Sequence, residues 1–216
     1  AVGADGRWTV ERLLEYGVDT RYITEVDAET AQAIIMVDPQ GENAIVLHPS
    51  ANHQIPLATL EGALSEAQKG DWLVFQNETN LQQVAARIGR KMGLRVAYAA
   101  APFSAEAVQR VLENLDFLIL NKVEAEQLRA ATGKVPQDLG VADVIVTLGG
   151  AGAKWFGAKG EVYIPAIPVT PVDTTGAGDT FTGYVLAGLD RGLPMEQALA
   201  LASKAGALMV TRHGTA

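Results

Sequence analysis

The sequence predicts an α/β fold, a doubly wound and mainly parallel sheet with helices on both faces, accompanied by a small β lid. Three observations carry this expectation. From Leu57 onward, apolar segments alternate between helical and strand periodicity. The strand-type runs are continuously apolar, as strands covered on both faces must be. The 216 residues are 48% apolar and 19% charged, enough for a substantial core.

The elements follow in order. Val2, Gly3, Ala4 and Asp5 lead into a short helix that closes near Gly17. Residues 32–37 and 44–47 are apolar runs about the turn sequence Pro39-Gln-Gly-Glu-Asn43, which reads as an antiparallel hairpin. Leu57, Leu60 and Leu64 recur at helical spacing before a strand at 71–75. A helix over 80–92, capped by Asn80 and closed by Gly93, precedes a strand at 94–99. Helices over 104–114 and 123–131 alternate with strands at 116–120 and 143–148. Residues 154–172 hold a second hairpin, built on Trp155-Phe156 and Val162-Tyr163-Ile164, with a strand ending near Val172. Two helices, 177–190 and 195–210, complete the chain. Residues 1–20 and 50–216 are assigned to one α/β domain and 21–49 to part of the lid.

Composition narrows the chemistry. Seventeen basic against 25 acidic residues give a formal charge of −8, and no Lys/Arg-rich run is present to neutralise a phosphate backbone, which argues against a nucleic-acid partner. There is no cysteine for a disulfide or thiolate metal site, and the three histidines are scattered. A reducing cytoplasm is compatible with that composition. The longest apolar stretch, 144–153, falls far short of the ~20 residues a spanning helix needs, so no membrane association is expected.

The most informative segment is Asp173-Thr-Thr-Gly-Ala-Gly-Asp179-Thr-Phe. A loop of small residues opening a helix offers unpaired amides and the positive end of the macrodipole, so Gly176, Ala177 and Gly178 form a place for an anion. A carboxylate in the same first turn would repel phosphate if binding were the only task. Asp179 makes chemical sense facing a hydroxyl whose proton must leave as a phosphoryl group arrives. The plainer alternative is that Asp179 stabilises the helix dipole, worth ~0.3–1 kcal/mol.

That segment closely resembles the C-terminal signature of the ribokinase-type (PfkB) sugar kinases, and further resemblances run in order along nearly the whole chain. The resemblance implies an ATP-dependent, magnesium-requiring kinase, with K⁺ as an expected activator, a small-molecule sugar as acceptor, and a homodimer formed through the lid. It assigns Gly176, Ala177 and Gly178 to the anion hole and Asp179 to the base. Asn121-Lys-Val-Glu124 is similar to the family's Asn-x-x-Glu motif, whose Glu organises Mg²⁺ through its waters; otherwise Glu124 is a helix-start carboxylate. Thr147-Leu-Gly149-Gly-Ala-Gly152 is similar to the nucleotide loop, although the glycines alone would also suit a tight turn. Ser203 matches a position lining the adenine pocket. Asp173 and Thr175 on one side, and Arg212 and Gly214 within 210–214 on the other, match the monovalent-cation loops.

The sugar side is thinner. Asn77-Glu78 resembles the place where the family presents a Glu to sugar hydroxyls, with a solvated loop carboxylate as the alternative. Ser50-Ala-Asn52 resembles a Gly-Ala-Asn that follows the lid. The first strand and Gly-Gly-x-x-x-Asn sugar loop typical of the family are not found before Val2, and the last expected element is not found before Ala216, which leads to the expectation of a longer natural protein. Ribose is the first expectation for the acceptor, with fructose, ketodeoxygluconate or a nucleoside as alternatives. A noncatalytic sugar or nucleotide sensor on the same fold is the competing class, disfavoured because a pure binder has no need of a base. A nicotinamide-binding oxidoreductase would need Gly-x-Gly-x-x-Gly after the first strand and an acidic residue ~20 further on, and neither is present.

Overall fold

The computed structural model describes residues 1–37 and 43–214; of the hairpin turn expected at 39–43, residues 39–42 lie outside them and Asn43 opens β2. A 3₁₀ turn at Ala4–Gly6 opens into α1 (Arg7–Glu15). Strands β1 (Gln32–Val37) and β2 (Asn43–His48) pair antiparallel as a separate two-stranded sheet. Helix α2 (Leu57–Ser65) then leads to the main sheet.

That sheet has six strands in the order β3 (Trp72–Gln76), β4 (Arg95–Ala99), β5 (Phe117–Asn121), β6 (Asp143–Thr147), β7 (Ala153–Gly157) and β8 (Gly160–Ile164). The first four run parallel and the last two antiparallel. Between the parallel strands lie α3 (Gln82–Met92), α4 (Ala105–Val111) and α5 (Lys122–Thr132), and after the second hairpin come α6 (Ala177–Asp190) and α7 (Met195–Met209).

The apolar strands divide their side chains between two cores, because successive residues of a strand point to opposite faces. In β5, Leu118 and Leu120 pack with Ala86, Val108 and Leu128 of α3, α4 and α5, while Phe117 and Ile119 pack with Phe181, Val185, Leu199 and Ala202 of α6 and α7. All four β5 residues are less than 10% exposed, which is why no polar alternation is visible there. Helices on both faces are therefore a direct consequence of these runs.

Local chemistry explains most boundaries and corrects three expectations. Ser104 caps α4, its Oγ accepting from the Ala107 amide at 3.2 Å, and the expected helix to 114 finishes as a 3₁₀ turn, Leu112–Asn114. Asn80, expected to cap α3, instead bridges to Ile55, two residues before α2. Its Oδ1 accepts from the Ile55 amide (3.2 Å) and its Nδ2 donates to the Ile55 carbonyl (3.0 Å). The α3 cap position falls to Leu81, in the left-handed region at φ 61°. The strand expected to end near Val172 is absent among the described residues: 165–176 run without helix or strand. Pro165, Pro168 and Pro171 withdraw three ladder donors from that segment.

Candidate active site

The strand register brings four C-terminal strand ends to one edge of the sheet. Gln76 of β3 pairs with Ala99 of β4, Ala99 with Ile119 of β5, and Asn121 of β5 with Thr147 of β6. In open α/β sheets this edge is where ligands bind. The expected site residues collect along it.

At the β6 end, Thr147, Gly149, Gly152, Ala177, Gly178 and Ser203 line a single cleft of about 330 Å³. Sequence reasoning missed its other wall, formed by Ala166, Ile167, Pro168, Val169 and Pro171 of the proline-spaced segment with Ala207 of α7, while Val210, just past α7, also lines the cleft and opens the 210–214 segment that the resemblance expects to close round the adenine. The proline spacing was the available signal. The cleft is apolar where these residues meet and bounded by glycine backbone at the other end, suiting a planar base joined to an anionic tail. The two loop glycines differ in kind. A Cβ on Gly149 would meet nothing within 4 Å, whereas one on Gly152, at φ +101°, would lie 2.1 Å from the Ile164 carbonyl. Gly152 is thus required by the close approach of β8 as well as by the loop.

Gly176 sits at the N-cap of α6 with φ 76°, a conformation that favours glycine. The helix that follows has no intrahelical acceptors for its first amides. Of the expected anion-hole donors, Ala177 donates to the Thr174 carbonyl at 3.2 Å. The added Cβ of a substituted Gly178 would find open space, so its backbone is approachable from outside.

Asp179 stands in the first turn of α6, exposed at the sheet edge. Its Oδ1 accepts from Nε2 of Gln76 at 2.8 Å, a contact between the last residue of β3 and a helix 103 positions later. Gln76 was not singled out from the sequence, although it immediately precedes Asn77-Glu78. Glu78 lies close enough to Asp179 for the two charges to interact. Burial and the Asp179 charge push its carboxyl above the usual carboxylate range, with His53 pulling the other way. The structure thus joins Gln76, Glu78 and Asp179 in one place.

Asn121 and Glu124 form a capping box on α5. The Glu124 amide donates to Asn121 Oδ1 (2.9 Å) and the Asn121 amide donates to Glu124 Oε2 (2.7 Å). Burial pushes the Glu124 carboxyl above its ordinary range, against the pull of the Asn121 amide. Its charge also helps push the buried Tyr98 hydroxyl up to about 12, after the larger effect of burial.

Just before α6, Asp173 ties two loops together. Its Oδ1 accepts from the Thr175 amide (2.9 Å) and its Oδ2 from the Gly214 amide (3.0 Å). The Thr175 hydrogen bonds lead in holding its carboxyl below the usual range, with Gly214 and the His213 charge helping. Val210 reinforces the junction, its carbonyl accepting from the amides of Val172 (2.7 Å) and Asp173 (3.2 Å). Arg212 lies on the same turn but bonds elsewhere, its amide donating to Met209. Among the described residues no group of three or more His, Cys, Asp and Glu side chains stands together as a metal cage, and no helix is long and apolar enough to cross a membrane.

Comparison with known proteins agrees with this geometry. The profile of the pfkB family carbohydrate kinases matches residues 1–216. The chain is 31% identical to a deoxyribokinase of Salmonella typhi, over 96% of this chain and 72% of the relative. It is 30% identical to a ribokinase of Haemophilus influenzae, over 99% of this chain and 74% of the relative. The crystal structure of a Cryptococcus neoformans ribokinase in complex with ADP superposes with a TM-score of 0.84 at 29% identity, covering 99% of this chain and 76% of that one. A helix start that receives anions, a carboxylate beside it and a match along the full sequence have one common explanation: the chain belongs to the pfkB family of carbohydrate kinases, phosphotransferases that act on a sugar hydroxyl.

Proposed function

We propose that this protein transfers the γ-phosphate of ATP to a hydroxyl of ribose, with Asp179 as the base. The observation that carries the reading is the position of Asp179, with the nucleotide cleft and the glycine-lined helix start on one side and Gln76 and Glu78 on the other. In the reaction the acceptor hydroxyl gives its proton to the Asp179 carboxylate while its oxygen bonds to the γ-phosphorus. The bond from that phosphorus to the β–γ bridging oxygen breaks, and ADP leaves with the electron pair. The glycine amides at 176 and 178 are the donors offered to the charge on the transferring group, the Ala177 amide being engaged with the Thr174 carbonyl, and Glu78 holds neighbouring hydroxyls. Ribose is favoured because a relative named ribokinase aligns with 99% of this chain.

Magnesium fits the donor set as an ion held through waters and phosphates, since the nearby protein carboxylate is Glu124 and no three-residue cage surrounds it among the described residues. Bound there, the ion would neutralise charge on the β- and γ-phosphates. The junction of Asp173, Thr175 and the 210–214 turn is the proposed K⁺ locus, where Asp173 supplies the negative charge. The β1–β2 sheet is read as a lid, with residues 21–49 as its unit and the remaining chain as the kinase domain. Ile34, Ile35, Met36, Ile45, Val46 and Leu47 are exposed on its two faces, which supports its use both as a cover and as the contact with a second copy of the chain. A reducing, ATP-containing compartment such as the cytoplasm suits this activity.

The test is a coupled ADP-release assay over D-ribose, 2-deoxy-D-ribose, D-fructose, ketodeoxygluconate and inosine. Fastest release with ribose is expected. Faster release with another acceptor would reassign the substrate, and no acceptor-dependent release would remove the catalytic reading.

A further inference from the structure

We infer that Gln76 is the positioning residue for the base, holding one oxygen of Asp179 so that the other is presented to the acceptor hydroxyl. This rests on the reading of Asp179 as the base.

A carboxylate on a short side chain at a helix start has two soft torsions, and a general base works only when the chosen oxygen lies within hydrogen-bond reach of the proton it takes. Asp179 makes no other side-chain hydrogen bond among the described residues than the one from Gln76, 2.8 Å from Nε2 to Oδ1. Its anchor is firm. Gln76 is the last residue of β3, in register with Ala99 of β4, so the amide projects from the sheet rather than from a loop. Adjacent hydrogen bonds fix the chain beyond it: the Asn77 amide donates to the Ala101 carbonyl (2.9 Å) and Asn77 Nδ2 to the Pro102 carbonyl (2.9 Å).

The chemistry of an amide also suits the place. Glu78 already sets one negative charge near Asp179. A second carboxylate at position 76 would add repulsion, whereas a neutral N–H donor satisfies Oδ1 without taking the acceptor proton itself. With Oδ1 occupied, Oδ2 is the oxygen left to accept. Gln76 therefore acts through Asp179 and need not touch the sugar.

The experiment is a double-mutant cycle in the active enzyme, using the acceptor that gives the fastest ADP release. Gln76→Leu removes the donor while keeping much of the volume. It is expected to lower kcat by ~10–100-fold, the range for losing a hydrogen bond to a charged group, with KM for acceptor and ATP within ~3-fold. In the Asp179→Asn background the same substitution should cost less than ~2-fold, because a residue acting through the base has nothing left to position. Gln76→Glu keeps the shape, reverses the polarity and should lose at least as much kcat; it serves the same cycle if Gln76→Leu melts early. A kcat for both Gln76 variants within ~3-fold of wild type, or an equal penalty with and without Asp179, overturns the inference. If Asp179→Asn alone retains full turnover, the base assignment falls first and the role of Gln76 falls with it, so the two failures are distinguishable.

Discussion

Asn121 and Thr147 face each other across the β5–β6 ladder, so the segment carrying Glu124 and the loop lining the nucleotide cleft leave the sheet at the same level. In the proposed function that edge would serve both the phosphates and the metal, and Glu124, which caps α5 in the structure, would also order the metal's waters. Glu124→Gln separates the two roles. Glutamine is an accepted capping-box residue, so helix α5 should keep its start, while the charge that orders a metal's waters is lost. The Mg²⁺ concentration for half-maximal rate is expected to rise ~10-fold or more with little change in thermal midpoint. An unchanged magnesium titration would leave Glu124 with the cap alone.

The parallel core was legible in the sequence because β4 and β5 are apolar at consecutive positions, and only two-sided burial produces that pattern. The helix start at Gly176 was legible because its chemistry is local: a left-handed glycine, small neighbours and a carboxylate three residues on. What escaped was whatever depended on distant partners. Asn80 looks like a cap until Ile55 is brought to it by the fold. Gln76 looks like a strand end until α6 arrives 103 positions later. The apolar wall at 166–171 carries no helix or strand period, since prolines replace the ladder, and their spacing was the one signal there.

Glu78 should show a conflict between stability and binding. Its folded carboxyl titrates above the ordinary 4.5, chiefly through burial and then through the Asp179 charge. A carboxylate raised in the folded state destabilises the fold where it is ionised and ceases to do so as pH falls through that raised value. Glu78→Gln should accordingly melt higher than wild type near pH 7, with the gain fading as pH drops toward 4.5. The same variant should raise the acceptor KM by ~10-fold or more. Thermal melts at pH 7 and pH 4 with sugar titrations check both; a lower melting point at neutral pH would contradict the assignment.

Ser50 adopts φ 32° just after β2, where the resemblance expects glycine. A side chain in positive-φ backbone is strained, so Ser50→Gly should stabilise the protein by ~0.5–1 kcal/mol in denaturant unfolding. A destabilised variant would show that the Ser50 side chain repays its strain.

The Asp173 junction should make turnover sensitive to the monovalent cation. Rates in K⁺ are expected to exceed those in Na⁺ or tetramethylammonium several-fold, with the difference lost in Asp173→Asn because the charge facing the cation is gone. Equal rates in all three salts would place no cation there.

The most direct measurement is kcat for Asp179→Asn in the acceptor-dependent ADP-release assay. Asparagine keeps the size and the hydrogen bonding of one oxygen but cannot take the proton. Turnover should fall by ~10²–10⁴-fold while the KM values for ATP and acceptor stay within a few-fold, as loss of a general base requires. A kcat within ~3-fold of wild type would contradict the assignment of Asp179 as the base.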